Sequence, residues 1–277
     1  MSTAFSLQQL PRCAIMGILN VTPDSFSDGG QFAQTERAVS AALNMHAQGA
    51  SLIDVGGEST RPGASAVSEQ QELDRVIPVI EAIRTRSDVP ISIDTSKPVV
   101  MDAALQAGAS MINDVNALRA EHALSIASAH NVPVCIMHMQ GKPRDMQHQP
   151  QYSDVVAEIR AFLQERIDAC LAAGIARSQI VLDPGFGFGK TLAHNYQLFN
   201  AIPALLQLGL PLLVGVSRKS MLGNVVNKAV DQRVAASIAA ATLAAQMGAH
   251  IIRVHDVDQT ADAVKIVNAC KQYQLQQ

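Results

Sequence analysis

One short pattern recurs along the chain and constrains its fold more than any other feature. The segments GASLIDV (49–55), GASMINDV (108–115) and GAHIIRV (248–254) superpose. Each starts Gly-Ala, runs through two large apolar residues and turns polar, at Asp54, Asn113 and Arg253. A glycine in that place suits the left-handed residue that ends a helix. The apolar run suits a strand buried on both faces. Five further runs have the same character: 14–20, 89–94, 132–138, 180–183 and 210–217. Helical patterns fill most of the gaps. Val155, Ile159, Phe162, Leu163, Ile167 and Leu171 form one stripe that Ser153-Asp154 opens and Gly174 closes. Further helices are expected over 231–248 and from Asp258 onward. Eight strand–helix units in 277 residues predict an α/β fold, a (β/α)8 barrel, with residues 1–277 as a single domain. An open doubly wound sheet is the alternative. The first dozen residues are expected to cap the N-terminal end of the barrel.

Composition narrows the function. With 48% hydrophobic residues the chain can bury a large core. A net charge of −3 and no cluster of Lys and Arg argue against nucleic acid as a partner. No apolar stretch approaches the roughly 20 residues needed to span a bilayer. The first residues lack the charged start and apolar run of a signal peptide, so a cytoplasmic protein is expected. Cys13, Cys135, Cys170 and Cys270 lie far apart with no CxxC pair, which reads as reduced thiols and not as a disulfide or zinc framework.

In such barrels chemistry sits at the C-terminal ends of the strands. Those ends carry Asn20, Asp54, Asp94, Asn113 with Asp114, His138, Asp183, Ser217 with Lys219, and Arg253 with His255. A single polar residue there is often a turn former. Polar groups at every strand end converge on one mouth, where they must pair with each other and with a ligand. Asp94, Asn113 and Asp183 suit the edge of a planar amino-pyrimidinone, because carboxylates accept and an amide both donates and accepts. Lys219 adds a donor for a ring carbonyl or nitrogen, and Met137 and Phe188 add apolar surface. Arg253 and His255, assisted by the turn 217–219, suit an anion. A ring half beside an anion half points to a phosphorylated or pyrophosphorylated heterocycle.

The stretch LDPGFGFGKT (182–191) imitates a nucleotide loop and fails both tests. A Walker loop needs glycine where Pro184 stands, and the dinucleotide fingerprint needs glycine where Lys190 stands. The glycines instead let the backbone turn past a ligand, with Phe186 and Phe188 expected as walls for a flat ring. The stretches 21–32 and 55–67 are rich in Gly, Ser, Thr and Pro and read as lids that order over substrate.

The segments ILNVTPDSFSDGG, GASLIDVGGESTRPGA, ISIDTSKP, INDVNAL, MHMQGKPRDMQ, LDPGFGFGK, LVGVSRKSMLG and GAHIIRVHDV together resemble the dihydropteroate synthases, from about residue 15 to residue 257. The resemblance implies a transferase of folate biosynthesis. Such an enzyme joins dihydropterin-6-ylmethyl pyrophosphate to p-aminobenzoate, with Mg2+ on the pyrophosphate. It implies that Asp94, Asn113, Asp183 and Lys219 hold the pterin edge, with Arg253 against the ring. It assigns pyrophosphate to Asn20, Thr60, Arg253 and His255, with Asn20 as the metal ligand. It assigns p-aminobenzoate to Phe26, Arg61, Pro62, Phe188, Lys219 and Ser220, in the pocket where sulfonamides compete. It implies a homodimer, for which the Ala-rich segment 234–245 offers a small-residue surface. An aromatic amine is nucleophilic without a base, so the hard step is C–O cleavage. An SN1-like displacement is expected, with Asp94, Asp183 and Lys219 as catalytic groups and the carboxylates stabilising a methylene cation. Three alternatives stay open: a pterin-dependent methyltransferase of the same fold, a Schiff-base aldolase using Lys219, and a pterin-binding protein without turnover.

Overall fold

The computed structural model describes residues 5–22, 31–59, 63, 66–141, 146 and 149–273. Eight strands form one parallel sheet: β1 (Ala14–Asn20), β2 (Leu52–Gly56), β3 (Ile91–Asp94), β4 (Met111–Asp114), β5 (Val134–Met137), β6 (Ile180–Asp183), β7 (Leu213–Val214) and β8 (Ile251–Val254). Their order is β6-β5-β4-β3-β2-β1-β8-β7. The ring closes between β6 and β7 through one bridge, Leu182 to Leu212, and the Leu182 N–H donates to the Pro211 carbonyl at 2.9 Å. The predicted barrel is therefore present, and the open sheet is excluded. The apolar run 210–217 yields a strand of only two residues. Pro211 has no N–H for the ladder, and beyond Val214 the chain turns toward Arg218, whose φ is +57°.

Helices fill the crossovers: α1 (Gln31–Ala47), α2 (Glu69–Arg84), α3 (Pro98–Gln106), α4 (Ala123–His130), α5 (Val155–Ala172), α6 (Leu192–Asn200), α7 (Ile202–Leu205), α8 (Ser220–Val226), α9 (Val234–Gln246) and α10 (Val257–Gln272). The repeat that predicted them has its physical basis in three glycines. Gly49, Gly108 and Gly248 sit at φ +109°, +113° and +103°, a backbone region that residues with a Cβ rarely enter. Each ends a helix and sets off the next strand. In α5 the Asp154 carboxylate accepts from the N–H groups of Val156 and Ala157 at 3.0 Å. Its buried face is Val155, Ile159, Leu163, Arg166, Ile167 and Cys170. Leu171, expected on that stripe, is 40% exposed, because the face drifts toward Cys170.

Strand periodicity sorts the buried residues into two layers. Ile53, Ile91, Ile93, Ile112, Val134, Ile136, Ile180, Leu182 and Ile252 belong to the larger core, with the helix faces. Ala14, Met16, Leu52, Met111, Cys135, Val181, Leu213 and Ile251 form a separate cluster, which Phe5, Leu7 and Leu10 join from the N-terminal segment. These residues fill the barrel interior, and the N-terminal segment seals its floor. Two residues further along the same strands, on the same face, stand Asp54, Asn113, Met137, Asp183 and Arg253. The apolar layer thus becomes the floor of a polar mouth. Met111→Ala would leave a cavity in that floor and should lower stability by about 2–5 kcal/mol in urea unfolding. A loss below about 1 kcal/mol would mean that the layer repacks and does not set the floor.

Candidate active site

Arg253 organises the mouth. Its Nε donates to Asp54 Oδ2 at 2.6 Å and its Nη2 to Asp94 Oδ2 at 2.7 Å. Asn113 Nδ2 donates to the same Asp54 oxygen at 3.0 Å. The three residues that the sequence repeat holds in register thus meet at one carboxylate. Two carboxylates share one guanidinium, and burial pushes the Asp94 carboxyl up to about 7 although Arg253 opposes the rise. Burial alone would lower the Arg253 pKa, but Asp54 and Asp94 outweigh it and raise the group further. Asp54 is fully buried, and among the described residues its Oδ1 has no hydrogen-bond partner.

The ring-shaped half lies beside this network. Asp183 is buried and its Oδ1 accepts from the Gly185 N–H at 2.7 Å. Burial raises its pKa, against the opposing charge of Lys219. Lys219 Nζ donates to the Phe186 carbonyl and lies 4.6 Å from the centroid of the Phe188 ring. Burial lowers its pKa to about 8, with Asp183 countering. Met137 and Phe188 belong to one apolar cluster with Met139 and Met146. The expectation for Phe186 is corrected. It is fully buried and packs edge-on against Phe199 at 5.8 Å, so it anchors the loop and does not wall the mouth.

The glycine loop has its own staple. Gly185, Gly187 and Gly189 all have positive φ, at +70°, +80° and +62°. A Cβ at Gly185 would strike the His138 carbonyl oxygen, and one at Gly189 would strike that of Gln140. Lys190 is buried, and its Nζ donates to the carbonyls of Gly185 at 2.8 Å and Phe188 at 3.0 Å. The lysine of a phosphate loop reaches outward to its ligand, whereas this one is turned into its own backbone. His138 Nδ1 lies 3.1 Å from Lys190 Nζ. Burial, then that cation, lowers the imidazole to about 3, so it stays neutral.

The residues expected to bind an anion come from the turns after β7 and β8. Ser217 Oγ lies 3.0 Å from His255 Nδ1. Arg218 pairs with Asp256, Nε to Oδ2 at 3.0 Å, so its guanidinium ties these two turns together and is committed to a carboxylate. Asn20 ends β1, half-buried, and Ser220 opens α8, exposed. Asp114, grouped with Asn113 on sequence, is a turn former: it accepts from the N–H groups of Asn116 and Leu118, each at 2.7 Å.

Residues 16–255 match the family of pterin binding enzymes. The dihydropteroate synthase of Haemophilus influenzae is 53% identical over 255 residues, which cover 92% of this chain and 93% of that protein. The structure is similar to that of the Yersinia pestis dihydropteroate synthase in complex with a sulfonamide drug, at TM-score 0.91, 52% identity and 98% coverage of both chains. It is also similar to the Xanthomonas albilineans dihydropteroate synthase in complex with 7,8-dihydropteroate, at TM-score 0.87 and 46% identity, covering 98% of this chain and 97% of that one. The chain belongs to the dihydropteroate synthase family.

In this member of the family, Asp94, Asn113, Met137, Asp183, Phe188, Lys219 and Arg253 come together at the mouth, with His255 and Asn20 on neighbouring strand ends. Phe26, Thr60, Arg61 and Pro62 lie outside the described residues, as does most of the expected first lid. Sequence reasoning assigned Asp54 no role, although it is the hub of the network; its register with Asn113 and Arg253 was the available signal. Gly185→Ala forces a Cβ into the His138 carbonyl at a positive φ and should cost about 1–3 kcal/mol or more in urea unfolding. An unchanged midpoint would show that the loop relaxes freely and does not fix Asp183.

Proposed function

We propose that the mouth of this barrel binds (7,8-dihydropterin-6-yl)methyl diphosphate and p-aminobenzoate and joins them into 7,8-dihydropteroate, releasing pyrophosphate. One observation carries this: Asp94, Asn113 and Arg253 are joined in one hydrogen-bonded network at the mouth of a barrel whose relatives are dihydropteroate synthases. Asp94, Asn113 and Asp183 take the donors of the pterin edge, Lys219 donates to it, and Met137 and Phe188 bound its faces. Arg253 has Nε and Nη2 committed to carboxylates, which leaves Nη1 for the pyrophosphate together with His255, Asn20 and Thr60. Phe26, Arg61, Pro62, Phe188, Lys219 and Ser220 form the p-aminobenzoate pocket. Complexes of relatives with a sulfonamide drug and with 7,8-dihydropteroate support the p-aminobenzoate and pterin pockets.

Among the described residues no group of three His, Cys, Asp or Glu side chains could hold a metal. Asn20 offers a single amide oxygen, and that donor fits Mg2+, which keeps its waters and takes most of its ligands from phosphate. When bound, Mg2+ on the pyrophosphate offsets charge on the leaving group. The protein does the rest. Arg253 and His255 stabilise the departing anion, while Asp94 and Asp183 stabilise the methylene cation by charge. The amine then attacks without a general base.

A homodimer is part of this proposal. Val225 is 61% exposed, Val230 51% and Leu243 52%, on α8, the following turn and the Ala-rich α9. A second copy would cover that apolar surface. Free thiols at all four cysteines suit the cytoplasm.

The first test follows pyrophosphate release with and without p-aminobenzoate, using the pterin pyrophosphate and Mg2+. Coupled release and dihydropteroate formation is expected, and binding without turnover would leave only a binder. Asp94→Asn should slow release without the amine about a hundredfold, the scale of losing one electrostatic stabiliser. Unchanged release would remove the cation-stabilising role. Affinity for 6-hydroxymethylpterin should depend on pH at both ends. Ionised Asp94 accepts at both oxygens with its charge, and protonation turns one of them into a donor, so binding weakens as pH falls through about 7. Protonated Lys219 donates as a cation and its neutral amine donates more weakly, so binding weakens again above about 8. Calorimetry across that range checks both limbs, and Asp94→Asn should remove the acid one.

A further inference from the structure

We infer that Ser217 is a positioning residue that fixes the tautomer of His255, so that the imidazole presents an Nε2–H donor to the anion corner. The inference rests on the assignment of His255 to that corner.

The basis is a count of donors and acceptors. Ser217 Oγ accepts from the His255 backbone N–H at 3.2 Å and lies 3.0 Å from His255 Nδ1. A hydroxyl has one proton to give. Ser217 is buried, at 6% exposure, where an unsatisfied O–H is costly. Among the described residues His255 Nδ1 is the one acceptor placed for that proton. If Nδ1 carried a proton of its own, the hydroxyl would face two donors and lose its acceptor. Hence Nδ1 accepts and the ring proton of the neutral imidazole resides on Nε2.

The backbone holds Ser217 in place for this task. The next residue, Arg218, has a φ of +57°, unusual for a side chain of its size. It is held there from three sides. Its N–H donates to Ser237 Oγ at 2.9 Å, its carbonyl accepts from Arg233 Nη1 at 3.0 Å, and its guanidinium pairs with Asp256. Asp256 directly follows His255, so the turn that carries the hydroxyl and the turn that carries the imidazole are tied by one ion pair. Ser217 and His255 thus keep their spacing without ligand.

Nitrogen-15 spectra of the ligand-free wild-type protein read the tautomer directly. Protonated Nε2 and bare Nδ1 are expected, and the reverse would overturn the inference whatever the activity. Ser217→Ala should populate the other tautomer and lower kcat/KM about tenfold, the scale of one weakened hydrogen bond to a charged group. Inorganic pyrophosphate should bind less tightly by a similar factor, while 6-hydroxymethylpterin affinity stays close to wild type. Ser217→Thr keeps the hydroxyl and should restore the tautomer and the rate. Weaker pyrophosphate binding with an unchanged tautomer would mean that Ser217 touches the anion itself, and the inference would fail. Loss of pterin binding with the pyrophosphate would reveal a structural role and overturn it too. If the wild type shows the expected tautomer but binds no pyrophosphate, the functional assignment of His255 fails instead.

Discussion

A part-buried guanidinium shared by two carboxylates holds this barrel's mouth in shape. Removing such charges from water costs several kcal/mol per ion, and the cost is met only when the geometry supplies charge-assisted hydrogen bonds to offset it. Arg253 reaches from β8 past β1 to Asp54 on β2 and Asp94 on β3. Each of those carboxylates would be an uncompensated buried charge without it. Asp54 then orients the Asn113 amide through the same oxygen. Four strand ends are fixed by one network.

That network stands where it does because of strand periodicity. Leu52, Met111 and Ile251 fill the barrel interior, and Asp54, Asn113 and Arg253 follow two residues later on the same face. One more step along each strand exchanges packing for chemistry. The repeat was legible in the sequence for this reason: Gly-Ala, the apolar pair and the polar residue are the helix stop, the floor and the rim of one unit. Its glycines, its strands and its inward residues could all be placed without coordinates. Other features could not. Lys190 looks in sequence like a ligand-facing cation, but its partners are the carbonyls of Gly185 and Phe188, and a carbonyl leaves no mark in a residue pattern. Phe186 and Phe188 alternate in one loop, yet one is core and the other faces the mouth, because left-handed glycines at 185, 187 and 189 break the strand alternation. Arg218 reads as an anion ligand until its pairing with Asp256, 38 positions away, is seen.

The glycine loop shows how similar sequences serve opposite ends. A phosphate loop presents backbone N–H groups and a lysine to an anion. Here the same residue types fold the loop onto the end of β5, where Gly185 and Gly189 let it touch the carbonyls of His138 and Gln140. The buried Lys190 cross-links the loop from within. What the loop offers a ligand is Asp183, whose Oδ1 is held by the Gly185 N–H, and the face of Phe188 beneath the Lys219 cation. Its product is a fixed acceptor and a flat wall, which suit a heterocycle and not a phosphate.

The proposed function gives Arg253 a part in both halves of the site, and this bears on how the C–O bond is broken. A heterolysis separates charge, and solvent would ordinarily have to reorganise around both fragments. At this mouth the dipoles and charges are already in place. In the proposed reaction Asp94 and Asp183 serve the pterin cation, and Arg253, bonded to Asp94, serves the leaving group. As negative charge gathers on pyrophosphate in that reaction, the guanidinium can offset it while its Nε stays bonded to Asp54 Oδ2. No protein charge has to move during cleavage, so the reorganisation cost is met when the chain folds and not when the bond breaks.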